Sequence, residues 1–90
     1  MRIHSLPHFA PPGKAGLLLQ NYIDGKLSFT IQDHEYIVPA SPGPSIPGEL
    51  FIIVDPGKTT YSANLPNGAH TDGELTTQPD HIYNFPFRYR

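Results

Sequence analysis

Five histidines, His4, His8, His34, His70 and His81, are the side chains of this chain best suited to hold a metal ion. His70 stands two residues from Asp72, and Asp80 adjoins His81, so ring nitrogens and carboxylate oxygens are neighbours at two places. The spacing that a site requires is not supported: His4 and His8 stand four residues apart, but Pro7 lies between them in a proline-rich stretch with no helical period, and no other tight ligand pattern occurs. Histidines in turns ordinarily stay solvated or cap a backbone group. No metal and no other cofactor is expected.

Gly57-Lys58-Thr59, following an apolar run, is reminiscent of the end of a phosphate-binding loop. The full pattern needs a glycine five positions before Gly57, where Ile52 stands, and a helix N-terminus after it, where the residues are strand-like. These residues are read as a turn. Asp33 and Glu35 flank His34 and bring acid and base types together, but adjacent positions on a tight turn are solvated. No serine lies in a Gly-x-Ser-x-Gly context. Without a recognisable nucleophile, base or pocket, the expectation is a protein that is not an enzyme.

The C-terminal run reads differently. Tyr83, Phe85, Phe87 and Tyr89 alternate with Asn84, Pro86, Arg88 and Arg90, so four aromatics share one face of an extended segment. Such a ladder must be buried, either as the last strand of the domain's own core or against a partner. Aromatics and arginines are enriched at protein interfaces, which makes Phe85, Phe87, Arg88 and Tyr89 candidates for partner binding. Stacking on single-stranded nucleic acid would use the same types. A net charge of −2 provides no basic groove for it, so no nucleic-acid partner is expected.

What positions these residues is a set of short strands. Leu17–Val38 reads as two apolar runs separated by Asp24-Gly25, the strongest short hairpin signal. Leu27, Phe29 and Ile31 fall on one face and Ser28, Thr30 and Gln32 on the other. A second turn at Asp33-His34 completes an expected three-stranded antiparallel meander. Glu49–Asp55 is apolar on both faces, the pattern of a central strand or of one covered by a loop or partner. Asp55-Pro56-Gly57-Lys58 is a turn signal, so Glu49–Asp55 and Thr59–Leu65 are expected to form a second hairpin. Residues 66–80 are polar, with turn pairs at Asn67-Gly68 and Asp72-Gly73 and room for one short hairpin over Glu74–Thr77. Strands are expected near 16–23, 26–32, 35–39, 49–55, 58–65 and 81–89. Pro86 marks the last as an edge strand or extended arm. Helix amounts to a turn or two at most.

Two proline-rich stretches flank this framework. Residues 1–14 hold three prolines and carry no workable period for a helix or a strand, so an extended N-terminal arm is expected. Ile3, Leu6 and Phe9 would be awkward on a free tail and are candidates for packing on the domain or on a neighbouring subunit. Residues 39–48 hold four prolines and two glycines and read as a long loop, with Ile46 as its one large apolar anchor.

Ninety residues make a single small domain that buries only about 60–65% of its unfolded surface. Eleven prolines and eight glycines, about a fifth of the chain against a usual share of roughly 12%, imply many turns. No cysteine is present to staple it. The expected fold is all-β: a small antiparallel barrel or sandwich of five to seven short strands, with residues 15–90 as the domain. No apolar run approaches the ~20 residues that span a bilayer, so no membrane partner is expected. His4, Pro7, His8 and Pro11 occupy the place of a signal peptide's apolar core, which argues against export by a cleaved signal.

Together these features lead to the expectation of a non-enzymatic structural or binding protein. The narrower form is a small virion component, such as a capsid decoration (cement) protein of a tailed phage, that stabilises seams of a capsid or other oligomeric assembly, possibly including copies of itself. It would reside in the virion if phage-encoded and otherwise in the cytoplasm. The alternative is a small inhibitor or accessory protein that binds one host protein through the 39–48 loop or the acidic stretches 33–35 and 72–74.

Overall fold

The computed structural model describes residues 11–43 and 45–88. Most of the expected N-terminal arm lies outside the described residues. Those residues form seven strands and no helix: β1 (Ala15–Asn21), β2 (Leu27–Ile31), β3 (His34–Val38), β4 (Gly48–Val54), β5 (Gly57–Asn64), β6 (His70–Thr77) and β7 (Ile82–Phe87). Two sheets pack face to face as a sandwich, one of three strands in the order β4-β1-β7 and one of four in the order β3-β2-β5-β6. Every pairing is antiparallel except that of β1 with β7, which is parallel.

The period of two in each strand explains the core. Ala15, Leu17 and Leu19 of β1, Leu27, Phe29 and Ile31 of β2, and Ile52 and Val54 of β4 are all buried. Aromatic rings fill the space between the sheets. Phe29 lies 5.5 Å from Phe85 and 5.8 Å from Phe87, both edge to face, and Tyr61 meets Phe85 edge to face at 4.9 Å. The C-terminal aromatic ladder thus contributes Phe85 and Phe87 to the domain's own core.

The expected three-stranded meander is corrected. β2 and β3 form its hairpin, but β1 lies in the other sheet, paired with β4 and β7. Asp24 keeps a negative φ, so Asp24-Gly25 is no type I′ turn, which requires positive φ at both positions. A Cβ at Gly25 would stand 2.6 Å from Pro66 Cβ, so this glycine serves a close approach between loops. The β2–β3 turn is centred one residue earlier than expected, on Gln32 (φ 51°) and Asp33 (φ 65°).

The expected hairpin through Asp55-Pro56-Gly57-Lys58 is corrected in the same way: β4 pairs with β1, while β5 pairs with β2 and β6. β4 is also an edge strand rather than a central one. Amphipathic strands satisfy their inner faces equally well beside one another or across a core, and here both links cross the core. Nor is Asp72-Gly73 a turn. Both residues belong to the uninterrupted β6, which was not expected as one strand, and Gly73 stands opposite Tyr61. A Cβ there would lie 2.5 Å from Tyr61 Oη, so the glycine leaves room for that ring.

Two side-chain devices hold the sandwich together. Asn21, fully buried, donates from Nδ2 to Gly25 O (2.8 Å) and Pro39 O (3.0 Å) and accepts from Ile23 N at 2.9 Å. Gln32 makes a reciprocal pair with the backbone of Asp55: Nε2 donates to its carbonyl and Oε1 accepts from its N–H, both at 3.0 Å. This pair joins the β2–β3 turn to the end of β4 across the sheets.

Candidate functional site

The two outer faces of the sandwich differ in kind. On the four-stranded sheet the outward residues are polar apart from Ile37 of β3, which is 54% exposed beside Ser28: Ser28 and Thr30 of β2, Glu35 of β3, Thr60, Ser62 and Asn64 of β5, and His70, Asp72 and Glu74 of β6. The His70 ring spans from Asn64 Oδ1 to Asp72 Oδ1, 2.7 Å from each, and Asn64 Nδ2 reaches Ser28 Oγ at 3.3 Å. In this row of side chains Asn64 stands between Ser28 and the His70 ring, so the serine does not contact the imidazole as it would in a serine–histidine pair. A shallow concavity of about 680 Å³ covers part of the same face, lined by Thr30, Thr60, Tyr61, Ser62, Asp72 and Glu74. Among the described residues no three His, Cys, Asp or Glu side chains converge as a metal site would require.

The outer face of the three-stranded sheet is apolar. Its register places Gly16 directly between Ile53 of β4 and Ile82 of β7, and Leu18 between Phe51 and Asn84. Ile53 and Ile82 are 37% and 42% exposed, and Leu18 and Phe51 are half-buried. A Cβ on Gly16 would stand 2.6 Å from Phe51 Cζ and 3.3 Å from Ile82 Cγ1, so the Phe51 ring lies over the glycine backbone and the surface there is closed and smooth. Polar groups stand at both ends. Gln20 contacts Glu49 at 3.4 Å at one end, and at the other Lys14 pairs with Asp55. An apolar centre with a polar rim has the anatomy of a protein interface.

Sequence reasoning did not single out Leu18, Phe51, Ile53 or Ile82. The signal was present in Glu49–Asp55, which is apolar on both faces: one face fills the core and the other forms this surface.

Of the residues expected to bind a partner, Ile3, Leu6, Phe9 and Tyr89 lie outside the described residues. Ile46 is 54% exposed, on a loop tightened by a bridge between Gly43 and Ile46 and by the Ser41 hydroxyl, 2.7 Å from Gly43 O. Phe87 is buried and Phe85 is half-buried against the core. Arg88 lies over the Tyr22 ring, its guanidinium carbon 4.0 Å from the centroid. Among the described residues of that set, Phe85 and Phe87 face the core while Ile46 and Arg88 lie at the surface.

No protein-family model matches the chain, and no curated protein shows significant similarity to it.

Proposed function

We propose that this chain is a non-catalytic binding protein that docks the outer face of its three-stranded sheet on a neighbouring subunit of an oligomeric protein assembly. The observation that carries the reading is the apolar row Ile53–Gly16–Ile82 with Leu18 beside it, in which Ile53 and Ile82 are 37% and 42% exposed. Water over such a surface is released when a partner covers it, at about 25 cal/mol per Å² of apolar area. A flat sheet face suits a flat subunit surface better than it suits a small ligand, which needs a concavity.

The narrower reading is a virion component, a decoration protein that seals seams between capsid subunits. It rests on the small β body, the proline-rich terminal segment and the lack of cysteine. A small inhibitor or accessory protein of one host protein is the alternative, and the exposed Ile46 at its loop tip is the feature that favours it.

A photo-crosslinking residue at Ile53, introduced in the producing cell, tests both. Crosslinks to one repeated shell or lattice subunit are expected, and they should disappear in the Ile82→Lys background. Crosslinks from Ile46 alone, to a single soluble protein at fixed stoichiometry, would instead establish the alternative. If purified chain binds no oligomeric lattice at all, the decoration reading fails.

A further inference from the structure

The two sides of the sandwich are closed unequally. On the β3–β4 side the Gln32 side chain bonds to the Asp55 backbone and ties the sheets together. On the other side β6 and β7 are both edge strands and do not pair with each other. Between them runs an open cleft of about 410 Å³, floored by Tyr61, Leu75, Tyr83 and Phe85, with Pro86 and Glu74 on its rims.

The two edges that border this cleft are unlike. On β7, His81 O and Phe87 O accept from Gly16 N and Tyr22 N. A residue's N–H and C=O leave a strand on the same side, so the odd-numbered residues of β7 serve β1, and Asn84 and Pro86 face the opening. Pro86 has no N–H to offer there, which blunts that edge. β6 carries no such block. Leu65 N donates to Ala69 O at 2.8 Å, which continues the β5–β6 register by one pair and turns the Ala69 backbone toward β5. By alternation Thr71, Gly73, Leu75 and Thr77 bond to β5, while His70, Asp72, Glu74 and Thr76 direct their N–H and C=O to the opening. Gln78, next in that series, sends its N–H across to Tyr83 Oη at 3.0 Å. Among the described residues no strand pairs with this edge. β6 runs eight residues with neither proline nor bulge, the form of edge that accepts an added strand.

Side chains of an added strand alternate between two surroundings. Those on its inner face drop among Tyr61, Leu75, Tyr83 and Phe85, where apolar groups leave water. Those on its outer face lie beside the Asp72 and Glu74 side chains, 70% and 60% exposed. Both carboxylates line the concavity on that face together with Asp33, and no lysine or arginine lines it. Lys58, 3.6 Å from Glu74, offsets only part of this charge. Charge complementarity therefore calls for lysine or arginine at the outer positions. The same charges argue against a second copy of the chain. β6 laid antiparallel on another β6 over most of its length sets Asp72 opposite Glu74, or Glu74 opposite itself, and like charges directly opposite are destabilising.

We infer that the open edge of β6 takes an antiparallel strand from another protein, an extended segment that alternates lysine or arginine with aliphatic residues. The basic residues stand opposite Asp72 and Glu74, and the aliphatic ones enter the β6–β7 cleft. This edge is separate from the outer face of the three-stranded sheet, so the inference stands independently of the partner reading above.

The probe is the peptide acetyl-Thr-Val-Lys-Val-Lys-Val-Thr-amide, added to the isotope-labelled full chain and followed by amide NMR. The amides of Asp72, Glu74 and Thr76 should shift and should exchange with solvent about tenfold more slowly or less, while those of Ile37 and Glu49 stay unchanged. N-methylation of the two lysines removes the donors that face β6 and should weaken binding by about tenfold or more. N-methylation of the valines, whose N–H groups face away, should weaken it far less. Glutamate in place of both lysines should weaken it as strongly as the lysine N-methyl groups do. No shift at millimolar peptide, or equal binding by the peptide N-methylated at its lysines, would overturn the inference. Shifts centred on Phe51 and Ile53 would overturn it too, by placing the peptide on the outer sheet face. So would slow exchange at Asp72 and Glu74 before any peptide is added: a rate independent of chain concentration means an edge covered within the chain, and a rate that falls with concentration means a second copy.

Discussion

The side-chain amide of Asn21 donates to the carbonyl of Pro39 at 3.0 Å, tying the end of β1 to the start of the 39–47 loop from a fully buried position. Together with its bonds to Gly25 O and Ile23 N, this uses both donors and the acceptor of one side chain. Asn21→Leu keeps the branched shape, adds some bulk and leaves three backbone groups without their partners. A loss of about 2–4 kcal/mol is expected, seen as a lower urea midpoint with an unchanged slope. Asn21→Asp should be no better, because it sets a carboxylate against two carbonyl oxygens.

Gln32 offers a second test of the same logic at an exposed position. Its amide replaces a strand pairing where β3 and β4 belong to different sheets. Gln32→Ala should cost about 1–2 kcal/mol and should speed amide hydrogen exchange at Asp55. Gln32→Glu keeps the acceptor and loses the donor, so only the bond to the Asp55 N–H should survive. A variant as stable as the parent would show that the clip contributes nothing.

Gly73 and Tyr61 form a pair in which each explains the other. The ring needs the space above the glycine, so Gly73→Ala should destabilise the domain by about 1–2 kcal/mol through overpacking. In a Tyr61→Ala background the added methyl meets no ring, and its cost should vanish. A double-mutant cycle from denaturant titrations measures that coupling. Additive effects would mean that the contact is not what selects glycine.

The Thr77 hydroxyl is buried with no hydrogen-bond partner. Its desolvation is uncompensated, so Thr77→Val, of nearly the same shape, should be neutral or stabilising by up to about 1 kcal/mol. For a domain of this size that corresponds to a rise in Tm of up to about 4–8 °C. A clear fall in Tm would indicate a polar contact for this hydroxyl.

Much of the sandwich was legible because each strand carries its own pattern. Leu27, Phe29 and Ile31 alternate with polar residues, and Pro86 announced an edge strand whose open side is where its missing N–H does no harm. β6 escaped notice because its inward positions are Thr71, Gly73, Leu75 and Thr77, only one of them a large apolar residue. The candidate surface was half legible. Phe51 and Ile53 read as apolar on a second face, but Gly16 and Ile82, which complete the patch, carry no such signal on their own.

Local chemistry by itself determined that this chain is built of short strands, which side chains of each face inward, and that a proline sits on an edge. Those properties depend on a residue and its near neighbours. Only the tertiary structure decided partnership. Asp24-Gly25 and Pro56-Gly57 look like hairpin turns, yet each link carries the chain from one sheet to the other. An amphipathic strand buries the same apolar area beside its neighbour in sequence or opposite it. The choice rests on contacts between residues far apart along the chain: the Asn21 amide on Pro39 O, the Gln32 amide on the Asp55 backbone and the packing of Phe29 against Phe85 and Phe87. None of these is a property of one segment, and so none could be read before the segments were brought together.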